Sequence, residues 1–184
     1  MKIENWSASW RMKIKTTVPV VAIIAFAVIL RLLPHPANFA PIAALALFGG
    51  VYLDKKYAFI IPLVAMFIAD IFLGFHNTMV FVYGSFLLTG LIGLWVKSHK
   101  SFATIAGAAL TSSLLFFIIT NFGVWFMGSM YPKTVPGLFA CYSAAIPFFR
   151  NTVLGDLFYT GIFFGSYELA LRFANSKLQI LKSK

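Results

Sequence analysis

The sequence is short of charge. Only 11% of its 184 residues are Asp, Glu, Lys or Arg, against roughly 25% in an ordinary soluble domain. Acids are scarcest: five Asp and Glu face fifteen Lys and Arg, for a net charge of +10. A single cysteine, Cys141, excludes an internal disulfide and any multi-cysteine metal site. There is no Gly-x-x-x-x-Gly-Lys-Ser/Thr loop, no His-Glu-x-x-His helix and no Gly-x-Ser-x-Gly elbow. The chain therefore lacks the familiar motifs for ATP hydrolysis, zinc catalysis and serine catalysis. Apolar surface stands in place of charge: 60% of residues are hydrophobic and 17% aromatic, with 21 Phe. A soluble fold of this size leaves roughly a third of its surface in water and could not hide so much. The composition excludes a disordered chain and most cytosolic enzymes, and points to an all-α polytopic membrane protein.

A membrane helix needs about 20 mostly apolar residues, within a range of roughly 17–25. Six runs qualify: 16–33, 37–53, 57–75, 79–96, 102–127 and 152–171. Short polar breaks part them, among them Pro34-His35-Pro36, Asp54-Lys55-Lys56, His76-Asn77-Thr78 and Lys97-Ser98-His99-Lys100. Residues 1–15 form a basic N-terminus and 173–184 a basic tail. No small-x-small site follows the first run, so it reads as a span and not as a signal peptide. The segment 129–150 is interrupted by Pro132, Pro136 and Pro147. Its apolar run is too short to cross, and it reads as an interfacial or re-entrant lid.

Six spans put both termini on one side. That side carries twelve Lys and Arg, and the other carries three: Arg31, Lys133 and Arg150. The positive-inside rule then makes the termini cytoplasmic. Basic residues shared among two tails and two turns are topology signals, so no nucleic-acid partner is expected.

This orientation gathers the polar residues near the outer surface. Arg31 ends span 1, with His35 and Asn38 behind it. Asp70 lies roughly 7.5 Å below the outer end of span 3 at 1.5 Å per residue. His76 and Asn77 follow, with Tyr83 on the first turn of span 4. Asn121 and Trp125 close span 5. Tyr142 lies in the lid, and Arg150, Asn151 and Asp156 open span 6. In the inner half, Glu168 is the one buried acid expected. Charges inside a bilayer cost about 2.5–3.5 kcal/mol or more, so they face the protein interior or a wet cavity. The set predicts an outward-facing small-molecule pocket with aromatic walls. A structural alternative stands beside it. Arg31–Asp70 and Arg150–Asp156 would be bracing ion pairs, Trp and Tyr an interfacial belt, and Asn38 a cap for span 2. Small residues at Gly90, Gly93, Gly161 and Gly165 would let helices approach closely.

The stretch Arg31-Leu-Leu-Pro-His-Pro-Ala-Asn-Phe-Ala-Pro-Ile-Ala-Ala-Leu-Ala-Leu-Phe-Gly-Gly50 resembles the first-loop and second-helix signature of small vitamin-uptake proteins. These are the six-helix S-components of energy-coupling factor (ECF) transporters. Ile68-Ala-Asp-Ile-Phe-Leu-Gly-Phe-His76 and Phe149-Arg-Asn-Thr-Val-Leu-Gly-Asp156 fit the same pattern. The chain is also similar to the solitary cobalamin transporters related to them. The resemblance runs from about 16 to 172. It implies an S-component-like bundle whose pocket is capped by loops 1, 3 and 5, and uptake by reorientation in the membrane. It also implies either an ECF energy-coupling module, a membrane scaffold with ATPases, or solitary action. Ala22 is followed four residues later by Phe26 and not Ala, a departure from the small-residue dock many S-components carry on span 1. For a corrinoid, the resemblance assigns a cobalt-ligand role to His35. The second ligand position lacks a cysteine, and His76 stands nearby as a nitrogen ligand.

The expected function is thus a membrane transport protein of the bacterial inner (cytoplasmic) membrane, with lipid around it and no cofactor of its own. It would bind a small vitamin-like molecule: cobalamin, another corrinoid, or a different vitamin or precursor. The ligand-binding residues would be Arg31, His35, Asn38, Asp70, His76, Asn77, Tyr83, Asn121, Trp125, Tyr142, Arg150, Asn151 and Asp156. Two competitors remain. One is a membrane scaffold or assembly subunit using Gly161 and Gly165 as a partner face. The other is an intramembrane metal enzyme using Asp70, Asp156 and His35; no enzyme activity is the favoured reading.

Overall fold

A computed structural model describes residues 21–182, with side chains for 21–169, 171 and 172. The basic N-terminus, the first turns of the expected span 16–33, the last two residues and most tail side chains lie outside the described residues. Six helices follow in order: α1 (Val21–Leu32), α2 (Ile42–Tyr52), α3 (Lys55–Leu73), α4 (Met79–Val96), α5 (Phe102–Met127) and α6 (Val135–Lys182). The described residues contain no strand.

Three of these, α3, α4 and α5, are long and apolar enough to cross a membrane. α4 and α5 coincide with the expected spans 79–96 and 102–127, and α3 begins two residues before its expected start. The boundaries are sharp because the caps are local. The Ser101 hydroxyl accepts from Thr104 N at 3.0 Å to open α5, and Gly128 closes it. Phe67, Ile71, Leu91, Trp95, Leu110, Leu114 and Phe126 stay exposed on these three helices. In water such a surface would be an aggregation patch. Against lipid it is an ordinary exterior.

The expected span 37–53 is shorter than the sequence implied. α2 has 11 residues, about 16 Å at 1.5 Å per residue, roughly half of a hydrocarbon core. Pro34, Pro36 and Pro41 lack the N–H groups a longer helix would need. Asn38 takes a positive φ of 65°, a conformation asparagine tolerates better than most residues. The position before the helix is Pro41, so Asn38 is a turn residue and caps nothing. α2 is buried on nearly every side, as a helix apolar all round should be, and α3, α4, α5 and α6 all pack against it. Its contact with α4 is backbone on backbone: a Cβ on Gly50 would lie 2.7 Å from the Gly93 Cα.

The expected lid 129–150 and span 152–171 form one helix. α6 runs 48 residues, about 72 Å. Thr134 accepts from Gly137 N at 3.2 Å and starts it, and Pro136 falls in the first turn, where a missing N–H costs little. Only Pro147 lies in the interior of α6 beyond that turn. α6 descends antiparallel along all of α5. Tyr142 OH donates to Ile118 O at 2.7 Å, the Phe149 and Phe117 rings lie 4.7 Å apart, and Ser113 Oγ donates to Asp156 at 2.6 Å. The run Leu138–Phe149 is too short to span alone, but packing on α5 carries the helix through it. Arg150, Asn151 and Asp156 therefore lie beside the middle of α5, not at its end.

Candidate functional site

The turns α1–α2, α3–α4 and α5–α6 gather at one end of the bundle, called here the Arg31 end. The turns α2–α3 and α4–α5 form the other, the Lys100 end. Arg31, in the last turn of α1, reaches Asp70 on α3 with Nη2 to Oδ1 at 3.3 Å. Tyr83 on α4 donates its hydroxyl to Asp70 Oδ2 at 2.8 Å. Asp70 is 1% exposed, so both carboxylate oxygens are used where water cannot serve them. Arg31 Nε is buried and has no partner among the described residues.

Beside this triad opens a cavity of about 450 Å³. Its polar lining is Arg31, Asn38, His76, Thr78, Thr120 and Asn121. Phe116, Phe148, Val82, Tyr131 and Cys141 make much of the wall. The volume lies within the roughly 300–1,000 Å³ of small-molecule sites, which pair an apolar lining with a few convergent polar groups. All three turns of the Arg31 end contribute: Ala37 and Asn38, His76, Met130 and Tyr131. Phe39 anchors the first turn on α6, against Phe158 and Tyr159 at ring distances of 5.7 and 5.5 Å. Gly155 lets the Phe39 backbone approach.

Of the thirteen expected residues, Arg31, Asn38, His76 and Asn121 line the cavity, and Asp70 and Tyr83 support it through Arg31. His35 is next to it but occupied: Nε2 meets Arg31 O at 3.2 Å and Nδ1 meets Pro36 O at 2.9 Å. A neutral imidazole donates from only one nitrogen, but both His35 nitrogens are turned to backbone carbonyls and His35 is absent from the cavity lining, so it ties the turn. His76 Nδ1 meets the Thr78 hydroxyl at 2.8 Å. Asn77 is exposed outside the cavity lining.

Five expected residues sit elsewhere. Trp125 Nε1 donates to Pro132 O at 2.9 Å, and Lys133 bonds the Trp125 and Gly128 carbonyls, so they staple the α5–α6 turn. Tyr142 bonds along α5, as described. Arg150 is exposed and does not pair with Asp156, which is buried in the α5–α6 seam. The bracing pair Arg150–Asp156 is absent, while Arg31–Asp70 is present. Asn151 is half-buried in the same helix.

A family of unknown function, DUF6580, matches residues 11–179. The chain belongs to that family. No curated protein and no solved structure matches it.

This DUF6580 chain also has wall residues that sequence reading overlooked. Thr78, Thr120, Phe116, Phe148 and Cys141 carry no motif. Their signal is only positional: Phe116 and Thr120 are four apart on α5, and Cys141, Ala145 and Phe148 recur at helical spacing on α6.

The Lys100 end of the DUF6580 chain holds a larger groove, about 750 Å³, between the start of α5 and α6. Glu168 there is not buried as expected: its side chain is 42% exposed. It accepts from Tyr52 OH and Lys100 Nζ, both at 2.5 Å. The groove opens beside Phe102, Leu157, Gly161 and Gly165, all exposed. Polar groups line it too, among them Tyr52, Lys100, Ser101, Thr160 and Glu168, but of the turns only α4–α5 contributes, whereas three turns meet around the Arg31 cavity. Size alone therefore does not decide between them.

Proposed function

We propose that the protein is a membrane transport protein that binds a small vitamin-like molecule in the Arg31-end cavity. In this reading the chain crosses a bacterial inner membrane six times, the second crossing made by the short, protein-enclosed α2 together with the turn ahead of it, both termini are cytoplasmic, and the Arg31 end faces outward. The single observation that carries it is the cavity itself, about 450 Å³, closed by three turns and lined by convergent polar groups. The sparse charge agrees: Lys55, Lys56, Lys97 and Lys100 mark the Lys100 end, the side expected inside. Energy would come from an ECF-like module or from solitary action. A corrinoid is the less favoured cargo, because both His35 nitrogens face backbone carbonyls and His35 does not line the cavity. The test is mass spectrometry of small molecules retained by purified protein. One compound should be retained by wild type and by Arg150→Ala, and lost from Asn38→Ala/Asn121→Ala. Equal retention by all three sinks the assignment.

A second reading has one specific observation behind it. Among the described residues, Gly161 and Gly165 have no atom within 4 Å of where a Cβ would sit, so none of those residues makes the expected close helix contact. A scaffold subunit would use that face for a partner helix. Stable co-purification of one membrane protein, lost in Gly161→Leu, supports it.

A further inference from the structure

The cavity has a sign. Among the described residues one fixed charge lines it, the Arg31 guanidinium, and no Asp or Glu does. The nearest acid, Asp70, is itself shut away, 1% exposed with each oxygen bonded to Arg31 or Tyr83. Arg31 gives Asp70 a single bond through one Nη2 hydrogen. A guanidinium has five N–H donors, and its buried Nε–H has no acceptor. Buried donors are rarely left unsatisfied in a native state. His76 adds a second polar group to the lining. In the tautomer whose Nδ1 accepts from Thr78, the proton sits on Nε2, a donor not engaged by the described residues. Phe116 on α5 and Phe148 on α6 supply apolar lining.

We propose that the bound molecule carries an anionic group, a carboxylate or a phosphate, seated on Arg31 with His76 as a second donor, and an apolar body lying against Phe116 and Phe148. This rests on the small-molecule reading above and narrows its chemistry. Arg offers planar, multiple donation to such anions. Asp70 balances Arg31 from outside the lining, so a cationic ligand would meet the positive end of that pair with no carboxylate on the cavity surface to receive it.

Cys141 makes the test direct, because it is the one cysteine and it lines the cavity. Its thiol is reacted with two methanethiosulfonates of similar size, one bearing a sulfonate and one a trimethylammonium. Each rate is divided by that of the same reagent with free 2-mercaptoethanol, so intrinsic thiol reactivity cancels in the ratio. The sulfonate reagent should be favoured by about tenfold, the lower range of field focusing in a charged cleft. Arg31→Lys should keep most of the preference, and Arg31→Gln should abolish it. His76→Gln, an exposed change that leaves the buried triad intact, should reduce it if Arg31→Gln does not fold. Benzoate and phenyl phosphate should slow both reagents, and benzylamine should not; the stronger of the two anions names the head group. A preference for the ammonium reagent, a preference that survives both Arg31→Gln and His76→Gln, or no protection by either anion overturns the proposal. If both reagents react equally and benzylamine protects, the anion assignment fails while the small-molecule site stands. Cys141 is 2% exposed, so if neither reagent reaches it in folded protein the pair is read at Ala144→Cys with Cys141→Ala, an exposed position of the same lining; failure to label there as well sinks the site reading.

Discussion

Each end of the bundle holds a carboxylate between a tyrosine hydroxyl and a cation. At one end Asp70 takes Tyr83 and Arg31, and at the other Glu168 takes Tyr52 and Lys100. The partners are alike and the surroundings are not. Asp70 is 1% exposed, whereas the Glu168 and Lys100 side chains are 42% and 38% exposed. A buried ion pair that loses one partner leaves a charge water cannot reach, while an exposed pair hands its charge back to solvent. The Asp70 set therefore fixes where three helices meet beside the cavity. The Glu168 set clips the α4–α5 turn to α6 and matters little to the core. The comparison also weakens one argument from the sequence: acids with partners occur at both ends, so crowding at one end is not by itself a mark of function. The enclosing turns and the sign of the cavity distinguish the Arg31 end.

The largest expected break in the comparison is Asp70→Ala. It removes the acceptor of Tyr83 and the partner of Arg31, whose side chain is 20% exposed and keeps some access to water, and should cost about 3 kcal/mol, the low end for a broken buried pair, read as lower thermal stability in detergent and lower folded yield. Glu168→Ala should leave both near wild type. Equal losses at the two ends would sink the burial argument. Tyr83→Phe sharpens it: a buried hydrogen bond to a charged group is worth about 1.5–3 kcal/mol, so Tyr83→Phe should melt well below Tyr52→Phe.

The glycines give the next contrast. Gly50→Ala drives a Cβ to 2.7 Å from Gly93, an overpacking that costs about 1–3 kcal/mol. Gly161→Ala meets open space and should stabilise the isolated protein by up to about 1 kcal/mol, through helix propensity. Opposite signs in thermal unfolding are the expected result. A loss in Gly161→Ala would mean that this face is already occupied.

Local signals carried much of the fold. α4 and α5 were legible to the residue because each is an uninterrupted apolar run with its own start and stop. The pairing of Arg31 with Asp70 was legible because lone charges in an apolar chain have few partners. α2 was not, since three prolines and one left-handed asparagine shorten a run that hydropathy reads as continuous. α6 was not, since prolines in its N-terminal third read as breaks while α5 packs against that stretch and keeps it helical. That error misplaced Arg150 and Asp156, whose depth depended on where the last span began. The cavity wall was half legible: polar residues announce themselves, but Phe116, Phe148 and Cys141 look like any other membrane residue until α5 and α6 are aligned.

The smallest predicted effect lies at the exposed end and is set by pH. Burial pulls the Lys100 pKa down, and the bonds to Glu168 and Tyr52 more than reverse this, so it stands above the ordinary 10.5. A cation whose folded pKa is raised adds stability that is fully present below the unfolded value and is lost as pH rises through the folded value. Wild type should therefore lose a little stability above about pH 10.5. Lys100→Arg keeps its charge throughout and should not show that increment. Thermal unfolding of the two proteins from about pH 9 to pH 11, each in a Tyr52→Phe background, isolates it, because Tyr52 is the other group coupled to Lys100 that titrates near this range. The increment should be small, since so exposed a pair is solvated with or without its partner. If the curves stay parallel, Lys100 is not coupled to Glu168 in solution. A gap as large as that of Asp70→Ala would show the Lys100 end to be as closed as the Arg31 end, and the contrast between them would fall.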